Sequence, residues 1–266
     1  MTAQQIDTGT TDLLATLDEG VLTLTLNRPE ALNAINVPVA EAFLAQCQAI
    51  ANDPSVRVVV LRGEGKAFGV GGDLATLQTD SANSANALIS RLHASVLILS
   101  SINAPVIASL HGVVAGGSLS LSSACDLAIA AEGTRFNLAY ANVAASCDVS
   151  GSWSLPRLVG LRNAMQIALL AETFDAQEAL RLGLVNRVVP AEALDAEVHA
   201  LAQRLANGPT QAYGRLKRLM RQSFETSLPD QLEAERVNFM ASAQTQDFKE
   251  ALGAFFDKRK PVFQGR

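Results

Sequence analysis

The chain of 266 residues is long enough to bury a large core, and its 48% of apolar and 18% of charged residues indicate a compact globular protein with surface to hide in subunit contacts. Its net charge of −5 argues against broad binding to nucleic acid or to membrane surfaces, but leaves room for a local basic patch that holds an anionic ligand. The sequence holds no run of eighteen apolar residues, so it predicts no membrane-spanning helix.

The cysteines Cys47, Cys125 and Cys147 have neither metal-ligand spacing nor an even number for pairing, which predicts reduced thiols. The first ten residues are polar and the first basic residue is Arg28, unlike a secretory signal. We therefore expect a cytoplasmic protein without metal.

The first elements follow from simple periodicity. Alternation of Leu and Thr in VLTLTLN (21–27) predicts a half-buried strand. Asn36 is the predicted N-cap of a helix, because a stretch with apolar residues on one face follows it. The run VRVVVLRG (56–63) predicts a buried strand, which leads into the glycine-rich stretch GKAFGVGGDLATLQ (65–78).

The same order of elements then repeats. A helical region near 84–102 precedes the strand-like PVIASL (105–110), and HGVVAGGSLSLSSACD (111–126) places a second glycine pair before a helix of small residues. Helix N-termini carry unpaired N–H groups and partial positive charge, so two such turns that converge would stabilise an oxyanion. The alternative is that the glycines only permit close packing of helix and strand. Spacing alone leaves both open.

Particular residues exclude the nucleotide-binding and zinc-enzyme motifs. A dinucleotide fingerprint needs glycine or alanine where Leu74 stands, and a phosphate loop needs Lys followed by Ser or Thr where Lys66 is followed by Ala67. The three histidines lack the H-E-x-x-H spacing of zinc enzymes and are interpreted as surface or packing residues: His93, His111 and His199.

Three segments carry a resemblance to a known family: LNRPEALNAIN (26–36), GKAFGVGGDL (65–74) and PVIASLHGVVAGGSLSLSSACD (105–126). In this order and spacing the chain resembles the enoyl-CoA hydratase/isomerase, or crotonase, superfamily from about residue 13 to the C-terminus. The resemblance implies an α/β fold built as a spiral of ββα turns over residues 1–190. It also implies a C-terminal helical trimerisation region over 191–266. The helical periodicity after residue 190 independently predicts that this region is helical.

By the same resemblance the substrate is an acyl-CoA thioester, the assembly is a homotrimer or a dimer of trimers, and no cofactor is needed because coenzyme A is part of the substrate. The oxyanion hole maps onto the backbone N–H groups of Gly72 and Gly117. The residues expected to contact substrate or coenzyme A are Arg28, Ala31, Leu32, Gly71, Asp73, Leu74, Ala75, Tyr140, Trp153, Phe255 and Lys258. For Lys258 a solvated helix end is an equal interpretation, and the basic run RLKRLMR (215–221) is interpreted as an exposed helix face.

The reaction depends on the acid and base residues. The two glutamates of the hydratases align with Ser120 and Tyr140, and neither side chain replaces a carboxylate near neutral pH. Asp148, in SCDVSGSWSLPRLVG (146–160), instead resembles the isomerase branch of ring-epoxide phenylacetyl-CoA isomerases and Δ3,Δ2-enoyl-CoA isomerases, in which Asp precedes Gly-Gly-Ser/Thr-Trp. Ser150 stands here in place of the first of those glycines. The resemblance implies that Asp148 moves a proton between C2 and C4 of a 3-enoyl thioester.

Alternatives remain at this stage. Asp148 could cap the helix that begins near Ser152 or pair with Arg157, the protein could be a hydratase with a relocated acid and base, or it could bind acyl-CoA without turnover. Asp73 is expected to form hydrogen bonds within its loop and at the following helix start, and Asp126 to be structural.

Overall fold

The computed structural model describes residues 3–78 and 81–266, apart from the side chains of Leu77 and Ser81. The predicted mixture of strands and helices, with a helical C-terminal region, is confirmed. The strands are β1 (Gln4–Ile6), β2 (Leu13–Asp18), β3 (Val21–Leu26), β4 (Val58–Gly63), β5 (Val106–Leu110), β6 (Val113–Ala115), β7 (Leu127–Ala131), β8 (Arg135–Asn137), β9 (Phe174–Asp175) and β10 (Arg187–Val189).

The helices alternate with these strands and then continue alone to the C-terminus. They are α1 (Val37–Ile50), α2 (Leu74–Leu77), α3 (Ser81–Ser101), α4 (Gly116–Ala124), α5 (Gly151–Val159), α6 (Leu161–Leu170), α7 (Ala176–Leu182), α8 (Leu194–Ala206), α9 (Thr210–Gln222), α10 (Leu228–Ala243) and α11 (Gln246–Phe256).

The larger sheet has the strand order β1-β2-β3-β4-β5-β7-β10 in the described part of the chain, antiparallel from β1 to β3 and parallel beyond. Val59 and Leu61 of β4 face one apolar core, while Val58 and Val60 face a second core that α8 closes. Because both faces are covered, the parallel strands need apolar residues at every position, which explains their unbroken apolar runs.

The predicted spiral is visible in a second layer of short extended segments. After β3, β4, β5 and β7 the chain adds one segment to this layer and then forms a helix. Strands β6, β8 and β9 form one part of the layer, and isolated parallel bridges join Ile35 to Gly72 and Gly69 to Val114. Both glycine turns therefore lie in this second layer, beside each other.

Several local predictions are confirmed at the residue level. Asn36 caps α1, since its side chain accepts a hydrogen bond of 3.0 Å from the Val39 N–H. Phe43, Cys47 and Ile50 are buried on the inner face of that helix, as their spacing predicts. The division of the chain near residue 190 stays a prediction, because the last strand ends at Val189 while α8 still packs on the sheet.

The basic run 215–221 lies partly against the body of the protein, so its interpretation as an exposed helix face is wrong. Lys217 Nζ lies 2.7 Å and Arg221 Nη2 2.9 Å from the carboxylate of Asp126, which also accepts a hydrogen bond from the Val106 N–H. Burial lowers the pKa of Lys217, and Asp126 opposes that shift. Asp126 thus joins α9 to the sheet, in agreement with its predicted structural role.

None of the helices in the described ranges combines the length and the apolar character that crossing a bilayer requires.

The Asp126 cluster gives a stability prediction. Asp126→Asn leaves the Lys217 ammonium, whose side chain is 9% exposed, without its counter-charge. Removing one partner of a buried ion pair costs about 3–5 kcal/mol, so the melting temperature should fall by roughly 10 °C in a calorimetric scan. The control is Asp195→Asn, whose exposed carboxylate lies 3.8 Å from Arg62 and should change little. Equal melting temperatures for the two variants would contradict the assigned role.

Candidate active site

The first glycine turn (residues 69–73) is held as a strand between two neighbours. On one side the Ile35 N–H donates to the Gly71 carbonyl at 2.8 Å, and on the other the Ala115 N–H donates to the Gly69 carbonyl at 2.9 Å. Because Ala115 immediately precedes α4, this pairing fixes the first glycine turn against the N-terminus of that helix.

The glycines of the two turns differ in their packing and in their hydrogen bonds. Gly71 has φ +92°, and a Cβ on it would lie 2.7 Å from the Gly117 nitrogen, so it permits the close approach. Its own N–H donates to Ser118 Oγ at 3.0 Å. The N–H groups of Gly72 and Gly117 donate no hydrogen bond within the described residues. Gly71 therefore fits the packing interpretation. The oxyanion interpretation of Gly72 and Gly117 stays a prediction, with which their free N–H groups agree.

Both glycines line a cavity of about 500 Å³. Gly72, Gly117, Tyr140 and Asp148 line it together, so the structure brings these four predicted residues to one place. The remaining lining, apart from Gly116 and Ser146, is apolar and comes from Val70, Leu74, Ala85, Leu88, Ile89, Ala139, Val143, Ala144 and Ala145. Thr79 and Asp80 lie outside the described residues.

Asp148 is held by a chain of hydroxyl groups. The Tyr140 hydroxyl donates to Asp148 Oδ1 and lies 3.1 Å from Ser120 Oγ. Since a phenol has one proton and Tyr140 gives it to Asp148, Ser120 donates to Tyr140. Asp148 Oδ2 has no hydrogen-bond partner among the described residues and is free to act on a ligand.

The structural alternatives for Asp148 do not hold. Helix α5 begins at Gly151, and its N-cap residue, Ser150, makes no capping bond through its side chain. Arg157 pairs with Glu225 at 3.3 Å instead of with Asp148. The carboxylate is therefore available to the cavity.

Tyr140 has a role that sequence reasoning missed. Burial, and then the neighbouring Asp148 carboxylate, raise the pKa of the Tyr140 phenol above its usual range. The phenol therefore stays protonated near neutral pH and remains a donor. The alignment placed Tyr140 and Ser120 at the two glutamate positions of the hydratases. Because those two glutamates share one site in the hydratases, their alignment with Ser120 and Tyr140 was the available signal that these two side chains meet.

The Asp148 carboxylate lies next to Gly117 in the lining of the cavity. A methyl group on Gly117 would lie 3.5 Å from Asp148 Oδ1 and 3.6 Å from the Tyr140 hydroxyl. A carbonyl oxygen bound by the Gly117 N–H would therefore place its neighbouring carbons close to Asp148. This arrangement can stabilise an oxyanion and move a proton at an adjacent carbon.

The residues predicted near coenzyme A form a braced loop. Arg28 donates to Asp73 at 2.9 Å and to the Ala34 carbonyl at 2.7 Å, and Asp73 accepts from the Ala75 N–H at 3.1 Å. The predicted loop hydrogen bonding of Asp73 is confirmed. Contact of Arg28, Ala31, Leu32, Asp73 and Ala75 with coenzyme A stays a prediction.

Three further candidates do not line the cavity. Trp153 lies in a separate groove between α5 and α9, with the Arg157 guanidinium 4.0 Å from its ring centroid, and its contact with substrate stays a prediction. Phe255 is exposed at the end of α11, and Lys258 follows that helix. Within the described residues, no group of three or more His, Cys, Asp and Glu side chains is placed to hold a metal ion.

Comparisons with known proteins agree with this architecture. The family profile described as "Enoyl-CoA hydratase/isomerase" matches residues 16–266. The chain is 33% identical to a trans-2-decenoyl-[acyl-carrier-protein] isomerase of Streptococcus mutans, covering 96% of this chain and 98% of the relative. It is 34% identical to a 1,2-epoxyphenylacetyl-CoA isomerase of Escherichia coli, with the same coverage. A crystal structure of an enoyl-CoA hydratase of Mycobacterium smegmatis superposes with a TM-score of 0.90 at 34% identity, over 96% of this chain and 99% of that one.

The site geometry predicts that two glycine substitutions differ in their effect on stability. Gly71→Ala forces a Cβ against the Gly117 backbone nitrogen at a left-handed φ, so it should destabilise the protein by more than about 2 kcal/mol. Gly117→Ala meets only ordinary contacts at 3.5 Å or more and serves as the control. Differential scanning calorimetry should show a fall of roughly 5 °C or more for the first variant only. Similar melting temperatures would refute the close approach at Gly71.

Proposed function

The chain belongs to the enoyl-CoA hydratase/isomerase family, and we propose that it shifts the double bond of an enoyl-CoA thioester, with Asp148 as the proton carrier. Membership makes it an acyl-CoA enzyme of the hydratase/isomerase type. The observation that supports isomerisation is the position of Asp148, which lines the cavity beside the unpaired N–H groups of Gly72 and Gly117.

The proposed reaction needs one carboxylate. The thioester oxygen of a 3-enoyl-CoA accepts hydrogen bonds from Gly72 and Gly117, and Asp148 Oδ2 removes a proton from C2. The electron pair of the C2–H bond moves into a dienolate, whose oxygen carries the charge that the two N–H groups stabilise. Asp148 then returns the proton to C4, so the double bond moves from C3–C4 to C2–C3.

Each backbone donor in such a hole contributes about 3 kcal/mol to transition-state stabilisation. Gly117 is the second residue of α4, so its free N–H also carries the partial positive charge of a helix N-terminus. Tyr140 occupies Asp148 Oδ1, which leaves Oδ2 to accept the substrate proton.

Hydration is the weaker alternative because it needs a second acid or base for water. Asp148 is the one carboxyl-bearing residue among the described residues that line the cavity, and Ser120 and Tyr140 are both engaged in holding it. Isomerases and hydratases both occur among the relatives, so the choice between the two reactions rests on the residues of the cavity. Binding without turnover would not require a carboxylate such as Asp148 beside the free N–H groups.

The apolar cavity wall favours an uncharged acyl group. Val70, Leu74, Leu88 and Ile89 would contact the acyl chain, and no Lys or Arg lines the described part of the cavity to pair with a terminal carboxylate. The proposed reaction uses no cofactor, because coenzyme A enters with the substrate. Phe255 and Lys258 remain the candidates for its adenosine end, and a cytoplasmic location stays a prediction.

We propose that the C-terminal helices join copies of this chain. No residue of α10 is buried within the described chain, and large apolar side chains stand exposed along α10 and α11. They are Leu228, Leu232, Val237, Phe239, Met240, Leu252, Phe255 and Phe256. Apolar side chains exposed along two successive helices are typical of an interaction surface, which fits the homotrimer or dimer of trimers that the family resemblance implies.

Asp148→Asn tests the proposed reaction. The amide cannot take up the C2 proton, so conversion of 3-hexenoyl-CoA to the conjugated 2-enoyl thioester should fall by roughly a thousandfold in an absorbance assay. Binding of hexanoyl-CoA, a saturated probe, should persist in calorimetric titration. Asp195→Asn on α8 is the matched control and should keep the full rate. Unchanged isomerisation by Asp148→Asn would refute the mechanism, and loss of 2-enoyl hydration alone would favour the hydratase.

The assembly can be tested by light scattering after size exclusion. The protein should have a mass of three or six copies of the chain. The double variant Leu232→Glu with Phe239→Glu places charges on the apolar surface of α10 and should lower that mass. A monomeric parent protein at micromolar concentration would contradict the proposed assembly.

A further inference from the structure

The backbone on the carboxyl side of Asp148 has an unfavourable conformation. Val149 and Ser150 follow Asp148 with φ +48° and +67°, both in the left-handed region. That region is rare for non-glycine residues and a real outlier for a β-branched one such as Val149. Such a conformation persists only where the surroundings fix it, and the family pattern quoted above has glycine where Ser150 stands.

The peptide between Asp148 and Val149 is fixed at both of its polar atoms. The Asp148 carbonyl accepts a hydrogen bond from the Gly151 N–H at 2.9 Å. The Val149 N–H donates to Nε2 of His93 at 3.1 Å. The Val149 side chain is 1% exposed, which anchors the next residue in the core. The plane of this peptide sets the direction in which the Asp148 side chain leaves the backbone.

His93 reaches this peptide from the helix that lines the cavity. Leu88 and Ile89 of α3 form part of the cavity wall, and His93 lies one helical turn after Ile89, on the same side of the helix. The imidazole is exposed, so its hydrogen bond to Val149 is not a requirement of core packing. Because Nε2 accepts this bond, the neutral ring carries its proton on Nδ1.

We infer that His93 is a positioning residue for Asp148: its imidazole fixes the Asp148–Val149 peptide and so aims the carboxylate at the cavity. The inference rests on the proposed function, in which Asp148 moves the proton. Sequence reasoning had interpreted His93 as a surface or packing residue. The structure adds a contact across 56 residues of chain between the cavity wall and the loop that carries the acid.

The role differs from that of Tyr140. Tyr140 binds the carboxylate itself at Oδ1, whereas His93 binds the backbone that carries it. Loss of the His93 contact should leave the two proposed oxyanion donors unchanged, because the first glycine turn is fixed by the backbone hydrogen bonds of Gly69, Gly71 and Asp73 with Ile35 and Ala115. Turnover should therefore suffer while thioester binding persists.

The test compares His93→Leu, which removes the acceptor, with His93→Gln, whose amide oxygen can accept the same N–H. For conversion of 3-hexenoyl-CoA, His93→Leu should lower kcat by roughly tenfold and leave KM within about twofold. His93→Gln should recover most of that loss. His199→Leu, at an exposed histidine of α8, is the control and should retain the parent kcat.

The same comparison in the Asp148→Asn background separates the two proposals. There His93→Leu should cause no further loss of the residual rate, because the carboxylate it positions is gone. An unchanged kcat of His93→Leu, with Asp148→Asn inactive, would overturn the inference and leave the proposed function intact. A parallel loss of kcat, hexanoyl-CoA binding and melting temperature that His93→Gln does not restore would also overturn it. Full activity of Asp148→Asn would overturn both.

Discussion

The site depends on one constraint, the pairing of the first glycine turn as a strand between Ile35 and Ala115. This pairing presses Gly71 against Gly117, which is possible only because Gly71 has no side chain. It also decides the use of each N–H group: Ser118 accepts that of Gly71, while those of Gly72 and Gly117, two residues that line the cavity, have no acceptor in the described part of the chain. In the proposed function these two donors, from turns more than forty residues apart in the chain, form one preorganised site for the developing charge.

The second feature that shapes the site is the presence of two hydroxyl groups, those of Ser120 and Tyr140, where the hydratases have two glutamates. Ser120 and Tyr140 do not act on water in this arrangement; they form a chain that ends at Asp148 Oδ1. Because its pKa is raised, the Tyr140 phenol keeps its proton and continues to donate a hydrogen bond to Asp148. One carboxylate, oriented by neutral donors and lining the cavity together with Gly72 and Gly117, suits the proposed reaction, in which the same group removes and returns a proton. It suits the addition of water less well.

The geometry at Asp148 also has a structural cost, which the surroundings offset. Two consecutive left-handed residues follow the acid, and the buried Val149 side chain, the turn to Gly151 and the His93 contact hold them in place. Strain of this kind is common where a side chain must take one direction. Elsewhere the body is tied together by long-range ion pairs, among them Arg28 with Asp73 and Lys217 with Asp126.

The sequence by itself determined the strands β3, β4 and β5, the cap at Asn36, the two glycine turns, the family and Asp148 as the candidate acid, because periodicity, turn chemistry and motif spacing are local properties of the chain. It did not determine which N–H groups stay free, that Tyr140 holds Asp148, that His93 supports it from 56 residues away, or that Trp153 lies outside the cavity. The exposed face expected for 215–221 failed for the same reason, since Lys217 meets Asp126 across 91 residues. Only tertiary packing decides such contacts, because their partners are distant in the chain and no local pattern encodes which residues meet.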